Sequence, residues 1–235
     1  MRILSDFFDK IYCINLKERT DRWEECLNNF EYYQIESYER IDAVKILKDD
    51  LEYLDQKSKS QLGCALSFYR IIQNAYYNEY KSILIFEDDF YFIHSKNKTQ
   101  EILKKSIENL PEEWDVFYLG ANIIYDYCNN PMVFFKKELF KINSAYCMHS
   151  IAFSKKGVNN FINEFPNEDS FIKKILEEYK AIDVFMAKKF CFQNLCFIPN
   201  EMLCNQYASF SSIENTYCNY RQELIKRFEN SKNNL

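Results

Sequence analysis

The run Ser82-Ile83-Leu84-Ile85-Phe86 carries no polar side chain after its first residue and stops abruptly at Glu87-Asp88-Asp89. A run this short cannot make a self-burying helix. As a strand it has no face left for water, so both faces must be covered. Such a strand belongs in a sheet held between helices, and the flanking segments supply the other layers. Residues 10–16 (KIYCINL) read as a short apolar strand, and 20–33 set Trp23, Cys26, Leu27 and Phe30 at helical spacing. Residues 35–44 read as a second strand, and 62–80 as a long helix with Leu66, Tyr69, Ile72, Ala75 and Tyr76 on one face. Another helix over 101–110 ends at Pro111, and a strand follows over 115–119. This β-α-β-α-β-α-β rhythm implies a right-handed, mostly parallel twisted sheet flanked by helices. Beyond it, 132–140 and 143–153 read as extended, 155–165 and 181–190 as helical, 194–198 as strand and 221–228 as a last helix. The expected class is α/β, a single domain over 1–235 with a more antiparallel C-terminal annex.

Composition removes several functions from such a fold. Only three glycines are present, Gly63, Gly120 and Gly157. A phosphate-cradling loop needs several close together so that backbone N–H groups can approach the anion. Walker-type NTPases, dinucleotide-binding enzymes and glycine-loop kinases are therefore excluded, and residues 17–20 lack the glycine-rich turn of an α/β methyltransferase. The net charge is −5 and no basic tract occurs, which argues against nucleic acid as a partner. Asp6, Asp9 and Lys10 interrupt the N-terminal apolar residues, so no signal peptide is expected there. No apolar run approaches the ~20 residues of a membrane span. The nine cysteines are scattered without a CxxC pair, as expected of reduced thiols in a cytosol-like compartment. Without a signal peptide, the glycosylation sequon at Asn97-Lys98-Thr99 carries no weight.

Two charged segments fall where chemistry collects. In open α/β sheets ligands bind beyond the carboxyl ends of strands, where Glu87, Asp88 and Asp89 sit. Three adjacent carboxylates repel one another unless a cation neutralises them, and oxygen donors suit Mg²⁺ or Mn²⁺ completed by substrate phosphates. The competing account is a solvated acidic strand exit or a helix N-cap. At the end of the first strand, Arg19 and Arg22 lie one helical turn apart and are expected to face the same crevice, where guanidinium forks suit a phosphate or a base edge. The alternative is a charged first helical turn, with Asp21 placed to complement the helix dipole.

The stretches IYCINLKERTDR, YERIDAV, SQLGCALSFYRIIQNAYYNEYKSILIFEDDFYF and WDVFYLG, followed by IAFSKKGVNNFI, AIDVFMAKKF and NQYASFSSIENTYCNY, together resemble glycosyltransferase family 25. The LGCALS…FEDD block is the most specific part. The resemblance implies a GT-A-type fold, a UDP-sugar donor (galactose or glucose) and Mn²⁺ or Mg²⁺. Residues up to about 125 would bind the nucleotide sugar, about 126–220 would face the acceptor, and 221–235 would form a C-terminal helix or tail. By the same resemblance Glu87, Asp89 and His149 are the expected metal ligands. Asn15, Arg19, Arg22, Asp42, Ser67, Asp88, Gln206 and Ser211 would bind the donor. Asp183, in Ala181-Ile182-Asp183, is the expected general base for an inverting displacement, its alternative role being the N-cap of a helix over 184–190. Tyr and Phe at 90–92 and 207–210 would stack on sugar faces. The acceptor group would be a hydroxyl of a glycan or of a hydroxylated side chain, the partner being a glycan or a glycosylated protein. One departure stands out: the family commonly reads LGCxxSH where this chain has Phe68. That substitution motivates the alternative of a catalytically silent member serving as a carbohydrate-binding or interaction module.

Overall fold

The computed structural model describes residues 2–47, 50–211, 216–219 and 221–233. In chain order the strands are β1 (Lys10–Asn15), β2 (Glu39–Asp42), β3 (Ser82–Glu87), β4 (Phe90–Phe92), β5 (Val116–Tyr118), β6 (Asn122–Ile123) and β7 (Met132–Lys136). They continue with β8 (Leu139–Ile142), β9 (Ala145–Tyr146), β10 (Ser150–Ser154), β11 (Cys196–Pro199), β12 (Cys204–Gln206), β13 (Ser209–Ser211) and β14 (Thr216–Cys218). The helices are α1 (Arg2–Phe7), α2 (Thr20–Tyr33), α3 (Gln56–Tyr77), α4 (Lys96–Asn109), α5 (Lys155–Glu164), α6 (Glu168–Lys174), α7 (Ile182–Phe185), α8 (Cys191–Gln193) and α9 (Arg221–Asn233). π-helical stretches at Ile175–Tyr179 and Met186–Phe190 lie on either side of α7.

One sheet of eight strands runs in the order β2-β1-β3-β10-β5-β11-β8-β7. β1 pairs in parallel with both β2 and β3, and β5 pairs in parallel with β11. β10 and β8 run against their neighbours, so two strands oppose the other six. The sheet is thus mostly parallel, with the antiparallel character concentrated in the second half of the chain. The wholly parallel β3-to-β5 neighbourhood suggested by the rhythm is corrected: β10 enters between them. A helical crossover leaves room for a later segment, and Ile151–Phe153 is apolar enough to fill the gap, all three side chains being fully buried.

The side-chain alternation of the central strand divides the core. Ile83 and Ile85 enter the cluster beneath α3, α5 and the π-helical region, while Leu84 and Phe86 enter the cluster beneath α1, α2 and α4. All four are completely buried, as a strand covered on both faces requires. β2 is shorter than expected, because only 39–42 holds register with β1. α3 begins earlier, at Gln56, because the Asp55 carboxylate accepts the Ser58 N–H at 2.7 Å and caps it. The helices α1 and α6 fall in stretches to which the apolar periodicity assigned no element. Among the described residues no helix is long and apolar enough to cross a membrane. All nine cysteines are free thiols.

Candidate active site

The parallel strands β2, β1 and β3 end on the same edge of the sheet. Beyond that edge lies a cleft of about 320 Å³. Its walls come from the end of β1 and the residues just after it (Ile14, Leu16, Glu18), the start of α2 (Arg22), the loop after β2 (43–46), and the first half of α3 (Gln56, Lys59, Ser60, Cys64, Phe68). Glu87, Asp88, Asp89 and Gln206 complete it.

The three carboxylates differ in their surroundings. Asp88 is held by the protein: its Oδ1 accepts from Arg22 NH1 at 2.6 Å and its Oδ2 from Asn15 Nδ2 at 2.7 Å. Asn15 is itself buried and accepts from Arg40 at 2.6 Å through its carbonyl oxygen. Asp89 is looser, with Arg22 at 3.8 Å and the Gln206 amide donating at 3.3 Å. Burial pushes its carboxyl up to about 6; Arg22 pulls it down, Asp88 pushes it up and Gln206 pulls it down. Burial also raises the Glu87 carboxyl well above the usual range, and the charges of Asp89, Asp88 and Asp183 add to it. Two carboxylates whose ionised forms are disfavoured, lining one cleft, match the donor chemistry of a hard divalent cation. Such a cation would relieve their repulsion and complete its shell from a ligand. Among the described residues no three His, Cys, Asp or Glu side chains converge as a ready-made metal cage.

Of the expected donor-side residues, the fold brings Asn15, Arg22, Asp88 and Gln206 together around the acidic tip. Gln206 arrives there because β12 pairs with β4, setting it opposite Phe90. Others lie elsewhere. Arg19 was expected beside Arg22 in the crevice; instead its guanidinium forks onto Asp21 at 2.7 and 2.9 Å, away from the cleft walls. Asp42 is exposed at the end of β2, outside those walls. The Ser67 hydroxyl is buried and committed, accepting the Val44 N–H and donating to the Gly63 carbonyl, both at 2.8 Å. It shapes the cleft by tying down its 43–46 wall. Ser211 falls in β13 opposite Thr216, and its side chain lies outside the described residues.

His149 does not join Glu87 and Asp89 as a ligand side chain. Its ring is fully buried, close to Gly120 and the Cys204 carbonyl, and burial depresses its basicity to about 4. Only its backbone serves the site, its carbonyl accepting the Glu87 N–H at 3.0 Å. The expected sugar-stacking aromatics at 90–92 are corrected in part. Phe90 and Phe92 are core residues, and Tyr91 stacks on Tyr207 with ring centroids 4.8 Å apart.

Asp183 sits in the first turn of α7, whose N-cap position is Ala181, so it is not the cap. It lies outside the cleft walls but close enough that its charge is felt at Glu87, Cys64 and Cys147. The chain around it is unusual: Lys180 has φ 69°, and π-helical turns stand on both sides. Such turns often mark functional positions.

The cations of the cleft are a feature that residue-type reasoning passed over. Lys59 is almost wholly buried, its ammonium near the Leu47 carbonyl at 3.5 Å, and Lys45 pairs with Glu18 where β1 and β2 end. Lys59 lies in the first turn of α3, ahead of the helix expected over 62–80, so no reading of that helix reached it.

An acid-tipped central strand opening into a cleft at the strand ends is the place where open α/β sheets collect their ligands. The chain belongs to glycosyltransferase family 25: the family model described as "Glycosyltransferase family 25 (LPS biosynthesis protein)" matches residues 8–232. It is 27% identical over 129 residues to human procollagen galactosyltransferase 2, covering 48% of this chain and 21% of that protein. It is 30% identical over 129 residues to the human inactive glycosyltransferase 25 family member 3, covering 48% of this chain and 22% of that one. The matched segments therefore span about a fifth of these relatives' length. Among solved structures, a mannose-1-phosphate geranyltransferase from Thermus thermophilus superposes with TM-score 0.42 at 9% identity, over 81% of this chain and 72% of that one.

Proposed function

We propose that this glycosyltransferase moves a hexose, galactose or glucose, from a UDP-sugar to a hydroxyl of a glycan or of a hydroxylated side chain, with inversion and with a GT-A-type arrangement of the donor. The observation that carries the proposal is the convergence of Glu87, Asp88 and Asp89 with Arg22, Lys45 and Lys59 on one cleft at the ends of three parallel strands. Asp89 and Glu87 would hold Mn²⁺ or Mg²⁺, which supplies neutralisation of the diphosphate leaving group. Asp88 is a positioning residue: with both oxygens engaged, it fixes Arg22 and Asn15 around the donor. Lys59 and Lys45 add positive charge that a glycine-poor backbone does not provide. Asp183 accepts the proton of the acceptor hydroxyl as its oxygen bonds to the anomeric carbon. The bond from that carbon to the β-phosphate oxygen breaks, and UDP departs with the electron pair.

The test is a thermal shift and a turnover assay. Wild-type protein in millimolar Mn²⁺ is expected to melt higher with UDP-galactose or UDP-glucose. Combined Asp88→Ala and Asp89→Ala replacement is expected to abolish release of UDP from the donor. Absence of any shift with either sugar nucleotide would refute the donor class. A catalytically silent member is the second reading, favoured by Phe68, a fully buried phenyl ring in the cleft wall where the family motif commonly has histidine. Donor binding without turnover on any acceptor would select it.

A further inference from the structure

The two-residue strands β6 and β9 form a small ribbon, with Asn122 opposite Tyr146. Three consecutive residues after β6, Tyr125, Asp126 and Tyr127, are all exposed, the two tyrosines at 49% and 41%. Their hydroxyls are fixed rather than loose. Tyr146 donates to Asp126 Oδ2 at 3.4 Å, leaving its oxygen to accept from Tyr127, 2.9 Å away. The Tyr127 and Tyr146 rings stand nearly perpendicular, 78° apart with centroids at 6.2 Å. Tyr125 donates to Ser231 on α9 at 3.1 Å. Tyr125 and Tyr127 are thus exposed aromatic rings tied at their polar tips, beside a half-buried Tyr146.

Their place in the fold gives the platform a purpose. β9 packs directly against α7, the helix that carries Asp183. From Tyr146 the chain passes through Cys147, which holds a left-handed φ of 67°, to His149, whose carbonyl accepts the Glu87 N–H. A non-glycine residue pays for such a conformation, and here it turns the ribbon onto the acidic tip. The Cys147 thiol, raised chiefly by burial, also feels both Asp183 and Glu87. The ribbon, the candidate base and the metal-binding edge therefore adjoin one another.

We infer that Tyr127, Tyr146 and Asp126, flanked by Tyr125, form a carbohydrate-binding platform that seats the sugar acceptor beside Asp183; as an acceptor subsite it rests on the transferase function proposed above. A pyranose offers a C–H face to an aromatic ring and a hydroxyl edge to a carboxylate, the two surfaces found together here. A peptide acceptor is disfavoured, since strands of two residues give no edge for strand addition and the rim is polar rather than an apolar groove.

Saturation-transfer NMR on the full chain, with lactose, cellobiose and maltose as probes and a Ser/Thr-rich peptide as competitor, tests the platform. At least one disaccharide is expected to bind wild type. Tyr127→Ala should weaken it about tenfold, while Tyr127→Phe, which keeps the ring but loses the hydrogen bond to Tyr146, should fall between the alanine variant and wild type. The melting shift produced by UDP with Mn²⁺ should be the same in all three proteins, which separates the platform from the donor cleft. Failure of every disaccharide to bind wild type, or undiminished binding by Tyr127→Ala, would overturn the inference. So would binding of the peptide alone. Disaccharide binding that depends on Tyr127, with no response to UDP in wild type, would uphold the platform and reject the transferase reading.

Discussion

Asp88 and Asp89 are adjacent in sequence and opposite in role. Asp88 neutralises Arg22 in a setting where both side chains are nearly buried, 10% and 12% exposed. Replacing it with alanine removes the closest partner of a buried guanidinium and is expected to cost about 3 kcal/mol, measurable by urea denaturation. Asp89→Asn should leave stability near wild type or above it at neutral pH, because burial already disfavours the ionised form, yet it should abolish metal-dependent turnover. The sign follows from the raised carboxyl: the penalty of ionising Asp89 grows as pH rises from its ordinary 3.8 through about 6. His149 acts in the other direction. Its folded-state basicity lies at about 4 against an ordinary 6.5, so the unfolded chain takes up the proton first as pH falls. Up to about 3 kcal/mol of stability should drain away between pH 6.5 and 4, and His149→Gln should flatten that part of the stability curve. Both aspartates were visible in the sequence as acids, but which one is saturated and which one is available depended on Asn15 arriving from β1 and Arg22 from α2.

The wall of the cleft is controlled by an interlock between α3 and the loop after β2. A Cβ on Gly63 would lie 2.4 Å from the Val44 carbonyl oxygen, a backbone atom that must move to admit it. Four residues on, Ser67 binds the Val44 N–H. Gly63→Ala is therefore expected to push the 43–46 wall away from α3 and weaken nucleotide affinity, read by calorimetric titration, without unfolding the sheet. Ser67→Ala should cost about 1 kcal/mol in a thermal melt by orphaning that N–H. At this scale much was legible. Thr20–Tyr33 is helical over the expected residues because Trp23, Cys26 and Phe30 repeat at helical spacing. The helix expected over 181–190 is instead split into α7 and a π-helical stretch. Apolar periodicity does not separate hydrogen-bonding patterns that keep nearly the same face buried.

For the molecule as a whole, ligand linkage provides the broadest check. A donor nucleotide present at a hundred times its Kd should raise stability by about 2.7 kcal/mol, or roughly 5–10 °C in melting temperature for a chain of this size. The Asp88→Ala, Asp89→Ala double variant should show no such gain in differential scanning calorimetry. The α/β class, the helices α2 and α5, the doubly buried central strand and the acidic cluster at its tip were all readable from the order of residues alone. Those depend on local periodicity and on where an apolar run stops, both of which are written in consecutive residues. Long-range packing set β10 between β3 and β5, brought Gln206 to Asp89 from more than a hundred positions away, and turned the side chains of Arg19 and His149 from the cleft. Each of these outcomes is a competition among distant groups for one partner or one burial site, and no local pattern encodes which group wins.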